Sequence, residues 1–207
     1  MSESTHRADG TLVRELLLVA DLLAAPALAQ LYAYLAREGE ATVREVMAAL
    51  DLPQGTAYSY VNRLVDAGLI EDTRTAQPRA YIAREIDLTV TADDDEREYR
   101  ITPMLIDAVG RRTEDADIDA YTDRHGIDGL ATALTYTIAC ERGEVTHEVM
   151  ARDLDISPLA AEYILQALRP VVHDHVDLDV VGARSAISTI PGNQPTPVSK
   201  APTLFHR

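Results

Sequence analysis

The chain has 207 residues and sets 34 acidic side chains against 19 Lys and Arg, a formal charge of −15. Such a balance disfavours a polyanionic partner unless cations cluster locally, and a lone cysteine, Cys140, excludes any disulfide within the chain. Apolar residues make up 46%, enough for a packed core, yet Asp21 and Pro26 break the longest apolar run, so no bilayer span is expected.

The opening decapeptide MSESTHRADG is polar and acidic and does not read as a signal peptide, so a soluble, cytoplasmic protein is expected. Lys200 is the sole lysine, leaving eighteen arginines as the other cations. Arginine-only basic usage on an acidic chain points to a halophilic archaeon. In molar salt the Debye length falls to ~3 Å, so the local charge pattern matters more than the total.

In chain order, residues 1–10 read as a disordered tail. Leu12, Leu16, Val19 and Leu23 then recur at helical spacing, widened by Leu17, Leu18 and Leu22 into a stripe that needs burial on more than one side. Pro26 starts a second helix, which carries Leu28, Leu31, Tyr32 and Leu35 on one face and ends at Gly39. Thr42 caps a third, with Val43, Val46, Met47 and Leu50 at i, i+3, i+4 and i+7. The turn Asp51-Leu52-Pro53 leads into a fourth helix, about 54–67, expected to bury Ala57, Val61, Leu64 and Val65 and to stop at Gly68.

Strands are expected from Leu69 and over 80–84, separated by Ala76-Gln77-Pro78. A period of two over Ile86, Leu88 and Val90, with Tyr99 and Ile101 returning after an acidic turn, predicts a hairpin. Thr102-Pro103 opens another helix, followed by an acidic one from about Asp115 to His125 that Gly126 closes.

The helix–turn–helix and the strand pair that follows it have the outline of a winged helix-turn-helix. A helix that reads base edges needs donors and acceptors on a face free of carboxylates. Residues 52–65 contain no acid, and Gln54, Thr56, Tyr58, Ser59, Asn62 and Arg63 lie away from the apolar stripe. Residues 73–84 again lack acids and carry Arg74, Arg79 and Arg84, which suit the minor groove or its flanking phosphates. These nine residues are the candidate DNA contacts.

The stretch ATVREVMAALDLPQGTAYSYVNRLVDAGLIE resembles the winged helix-turn-helix of ArsR-, MarR- and TrmB-like transcription regulators of archaea and bacteria, over about residues 26–84. The resemblance implies a homodimer on a pseudo-palindromic site in double-stranded DNA, with the second helix in the major groove and the wing beside it. The cysteine pair of metal-sensing ArsR relatives is missing from Val43 to Leu50, so that sensor chemistry is not implied.

Sliding the chain by 104 residues superposes Gly39-Glu40 on Gly143-Glu144, Thr42 on Thr146, and Leu50-Asp51-Leu52 on Leu154-Asp155-Ile156. Ala57, Val61 and Leu64 fall on Ala161, Leu165 and Leu168. The second copy replaces Gln54, Tyr58, Asn62 and Arg63 with Pro158, Glu162, Gln166 and Ala167, so it suits packing, dimerisation or an effector better than phosphate. The expected fold is mainly α with small β wings: a winged helix-turn-helix over 11–101, a helical connector over 102–126, a second helix-turn-helix-like domain over 127–184, and a flexible tail from 185.

His173, His175, Asp177 and Asp179 would share one face of a strand and could hold a zinc-like ion, although a polar strand face explains the same alternation. No glycine-rich phosphate loop, HExxH, G-x-S-x-G or CxxC is present, so neither an enzyme nor a cofactor is expected. The alternative to a DNA reader is a winged-helix protein-interaction module of the transcription or replication machinery, which the acidic charge favours.

Overall fold

The computed structural model describes residues 19–73, 77–91 and 98–176. Helical residues 19–24 (α1) lead into α2 (Pro26–Glu38), α3 (Val43–Leu50) and α4 (Gln54–Asp66). Three short strands, β1 (Ala41–Thr42), β2 (Ile70–Asp72) and β3 (Ala80–Ala83), form an antiparallel sheet in the order β1-β3-β2. β4 (Leu88–Thr91) and β5 (Glu98–Ile101) make a separate hairpin, with Leu88 opposite Ile101. α5 (Pro103–Arg111), α6 (Ala116–Glu141), α7 (His147–Asp153) and α8 (Pro158–His175) complete the described chain. The architecture is mainly helical with small β wings.

The predicted caps set the boundaries. The Thr42 hydroxyl accepts from the Glu45 amide at 3.4 Å while the Glu45 carboxylate accepts from the Thr42 amide, a reciprocal capping box. The Thr102 hydroxyl caps α5 by accepting from the Leu105 amide, and Pro26 occupies the first turn of α2. Gly126, at φ 74°, divides α6 into two helical segments. Fully buried Val46, Ala57, Val61, Leu64 and Ile70 close the core of the first unit. Val65, expected inside, is 38% exposed.

α2 is the spine of the molecule, with Leu28, Ala29, Leu31, Tyr32, Ala33 and Leu35 all buried. The Tyr32 hydroxyl donates to the Arg84 carbonyl at 2.5 Å, tying this helix to the chain leaving β3. α5, expected as part of a connector, is a core helix: Leu105, Ile106, Ala108 and Val109 are at most 1% exposed. It lies so close to α2 that a Cβ added at Gly110 would sit 2.8 Å from the Gln30 Cα. The described residues pack as one unit.

The turn geometry of the first unit recurs 104 residues later. Asp51 and Asp155 both take left-handed φ, 48° and 53°. The Leu52 amide donates to the Met47 carbonyl at 3.2 Å, and Ile156 donates to Ala151 at 3.0 Å. Thr146 caps α7 as Thr42 caps α3.

The strand expected at His173 does not form. α8 runs through Pro170 to His175, so His173 and His175, two residues apart on a helix, diverge: His173 pairs with Glu141 at 2.6 Å and His175 with Asp107 at 2.9 Å. Asp177 and Asp179 lie outside the described residues. Among the described residues no cluster of His, Cys, Asp and Glu could hold a metal ion, and no helix is long and apolar enough to cross a membrane.

Candidate nucleic-acid interface

α4 begins after Pro53 and turns its apolar side, Ala57, Val61 and Leu64, into the core. Helical periodicity then places Gln54, Tyr58, Ser59, Asn62 and Arg63 outside. Tyr58 is 47% exposed, a large aromatic left in solvent, whereas Thr56 is half-buried at the edge of that face.

Two cavities flank the helix. On one side a groove of about 640 Å³ lies between α4, the start of α3 and the wing, lined by Tyr58, Asn62, Gln77, Arg79 and Arg44. On the other side a cavity of about 420 Å³ is bounded by Asp21 of α1 and by Ser59, Asn62 and Arg63 of α4. Asn62 lines both. Gln54 sits exposed at the N-terminal end of the same helix. Arg74 lies outside the described residues.

Arg44 and Gln77 join this surface without having been expected there. Arg44 is two residues from the Thr42 cap and on the exposed side of α3, where no motif marks it. Among the described residues no carboxylate pairs with it.

The other described arginines that the sequence assigned to DNA contact are neutralised from outside their own stretches. Arg63 meets Asp21 at 3.2 Å, Arg79 meets Asp72 at 3.5 Å, and Arg84 meets Glu71 at 3.3 Å. The sheet register produces the last two. Asp72 is opposite Tyr81 and Glu71 opposite Ile82, so each carboxylate reaches the arginine two positions away on the neighbouring strand segment. Adjacent residues of a strand face opposite ways, which puts the Arg84–Glu71 pair on the other side of the ribbon from Arg79–Asp72. Arg84 does not line the groove. All three pairs are exposed, and such pairs contribute only about 0–1 kcal/mol each.

On α8 the positions equivalent to Gly55 and Ser59 are Leu159 and Tyr163, which stand 57% and 51% exposed, with exposed Glu162 beside them. Among the described residues no wing follows: where the first copy turns into β2, α8 continues to His175.

A capped helix, a turn with a left-handed corner, a second helix with a polar outer face, and an antiparallel wing beside it define the winged helix-turn-helix class. Residues 28–87 match the family described as sugar-specific transcriptional regulator TrmB. The TrmB part of the resemblance is thus matched over residues 28–87, the stretch that forms the winged helix-turn-helix. Residues 112–177, covering α6, α7 and α8, match a family of unknown function (DUF7437). No curated protein and no solved structure matches the chain.

Proposed function

We propose that the chain is a transcription regulator that reads double-stranded DNA in a sequence-specific manner. The observation that carries this reading is the groove in which Tyr58 and Asn62 of α4 meet Arg79 and Gln77 of the wing and Arg44 of α3. Asn62 supplies a bidentate donor and acceptor for adenine, and Arg63 suits guanine or a flanking phosphate. Gln54 and Ser59 suit contacts that fix register. A homodimer on a two-fold site supplies the second half-site contact, and the α6–α8 unit carries the dimer or effector function. The sugar specificity in the TrmB description belongs to that family, and the match here ends at residue 87.

Replacing Asn62 or Arg63 by Ala tests the reading. Each change at an exposed position leaves the fold intact and costs roughly 1–3 kcal/mol of specific binding. Selection of a bound sequence from a random duplex library, followed by footprinting of both variants, measures it. Footprints unchanged in both would remove α4 as the reading helix.

The carboxylate partners of Arg63, Arg79 and Arg84 favour a second reading, a winged-helix protein-interaction module. Chromatin immunoprecipitation separates the two, since discrete promoter peaks fit only the regulator. An acidic, arginine-only chain is also what a halophilic host would produce, and binding assays at molar salt address that origin.

A further inference from the structure

We propose that Asp21 and Asp72 are positioning residues of the DNA interface: each holds a reading arginine in the free protein and is exchanged for a phosphate when DNA binds. The inference rests on the DNA-reading proposal above and adds to it a mechanism for restraining affinity.

The geometry singles out these two carboxylates. Arg63–Asp21 borders the cavity on one flank of α4, and Arg79 lines the groove on the other flank while paired to Asp72. The acids come from different elements, α1 and β2, so one arginine on each flank of the reading helix is neutralised independently. Both pairs are exposed: 51% and 63% for the Arg63 and Asp21 side chains, 58% and 31% for Arg79 and Asp72. Exposed pairs are easily broken, so they restrain the side chains without locking them. Glu71 makes an equivalent pair with Arg84 on the far side of the ribbon, outside the groove. It is therefore a control built into the same wing.

Exchange has a signature that mere surface charge lacks. An arginine that neutralises a phosphate releases a condensed cation, which steepens the fall of log K with log salt by about 0.9 per contact. If that arginine must first leave a carboxylate, the freed carboxylate regains its own ion atmosphere, and part of the release is cancelled. The wild-type slope is then shallower than the number of arginine–phosphate contacts requires.

The experiment uses the full chain and a mixed-sequence 30-base-pair duplex, because the electrostatic part of binding is sequence-independent. Fluorescence anisotropy is followed across a salt titration for wild type, Asp21→Asn/Asp72→Asn, Glu71→Gln, and Glu148→Gln/Glu162→Gln on α7 and α8. The Asp21/Asp72 variant is expected to bind about five- to tenfold tighter at low salt and to steepen the slope by up to about 0.9 per pair. Glu71→Gln and the α7/α8 variant change net charge by one and two but should leave the slope unaltered. Circular dichroism verifies that each variant is folded, and Asp72→Glu should restore the shallow slope. Equal gains in all variants would reduce the effect to net charge and overturn the exchange. An unchanged slope in the Asp21/Asp72 variant, with wild type binding normally, would overturn it while leaving the DNA-reading proposal standing. Absence of duplex binding in every protein would refute the DNA-reading proposal and this inference with it.

Discussion

Asp107 holds the molecule together at the point where α2, α5 and α8 meet, and Asp107→Asn is the most informative stability test. Its carboxylate is 3% exposed and accepts from Arg37 of α2 at 2.8 Å, from Arg111 of its own helix at 3.3 Å, and pairs with His175 of α8 at 2.9 Å. Arg111 also pairs with Asp174. Burial by itself would raise the carboxyl pKa, but the hydrogen bonds from His175, Arg37 and Arg111 together outweigh it and hold the group at about 2, against an ordinary 3.8.

At 1.36 kcal/mol per unit, that depression is worth roughly 2 kcal/mol. A depressed carboxyl contributes its stability in full above the ordinary value, and the contribution is lost as pH falls from about 4 through about 2. Arginine guanidinium groups do not titrate in this range. Asparagine keeps the shape and removes the charge, so the variant should lose about 2 kcal/mol at pH 7, rising toward ~5 if the stranded cations relax poorly. Urea denaturation of wild type and variant at steps from pH 7 to pH 2.5 measures the gap between them. The gap should begin to narrow below about pH 4 and fall to roughly a third of its size by pH 2.5. A gap of constant size would assign the loss to packing, and no gap at pH 7 would refute a stabilising role for the cluster.

Three further outcomes follow from the packing. Gly110→Ala forces a methyl onto the Gln30 backbone at 2.8 Å, and should cost about 1–3 kcal/mol in thermal or urea unfolding; an unchanged melting temperature would mean that the α2–α5 approach is looser than described. Thr42→Ala removes the cap of α3 and should cost about 1 kcal/mol by the same assay, whereas Thr42→Ser should cost little. Leu159→Ser/Tyr163→Ser on the exposed face of α8 should weaken self-association in sedimentation velocity while the monomer stays folded. Identical sedimentation of variant and wild type would refute a self-association role for this face.

Local chemistry was legible and register was not. The caps at Thr42 and Thr102, the proline at α2 and the break at Gly126 depend on residues adjacent in sequence, and each appears where the residue type dictates. The 104-residue repeat was visible because left-handed corners and caps constrain residue type. The pairing of Arg79 with Asp72 and Arg84 with Glu71 depends on the offset between β2 and β3, so a segment counted as free of acids receives acids from across the sheet. Gly110 looks like a flaw inside a helix until α2 lies against it.

The end of α8 misled for a related reason. HDHVDLD alternates as a strand would, and Pro170 removes one helical hydrogen bond just before it. Tertiary contacts outweigh both signals, since Val171 and Val172 are fully buried and the two histidines find Glu141 and Asp107.

The same extension explains how the two copies of one scaffold divide the work. In the first copy, the chain after α4 becomes the wing and brings Arg79 to the groove. In the second, the helix continues to His175, which pairs with Asp107 and through Asp107 reaches Arg37 on α2. α2 in turn touches α4 and holds the Arg84 carbonyl through the Tyr32 hydroxyl. A ligand or partner acting on α8 would therefore reach the winged unit through its spine rather than through the contacting side chains. The Asp107 variants separate these routes: loosening the α8 end should weaken duplex binding only as far as it destabilises the fold, leaving the salt slope set by Asp21 and Asp72 in place.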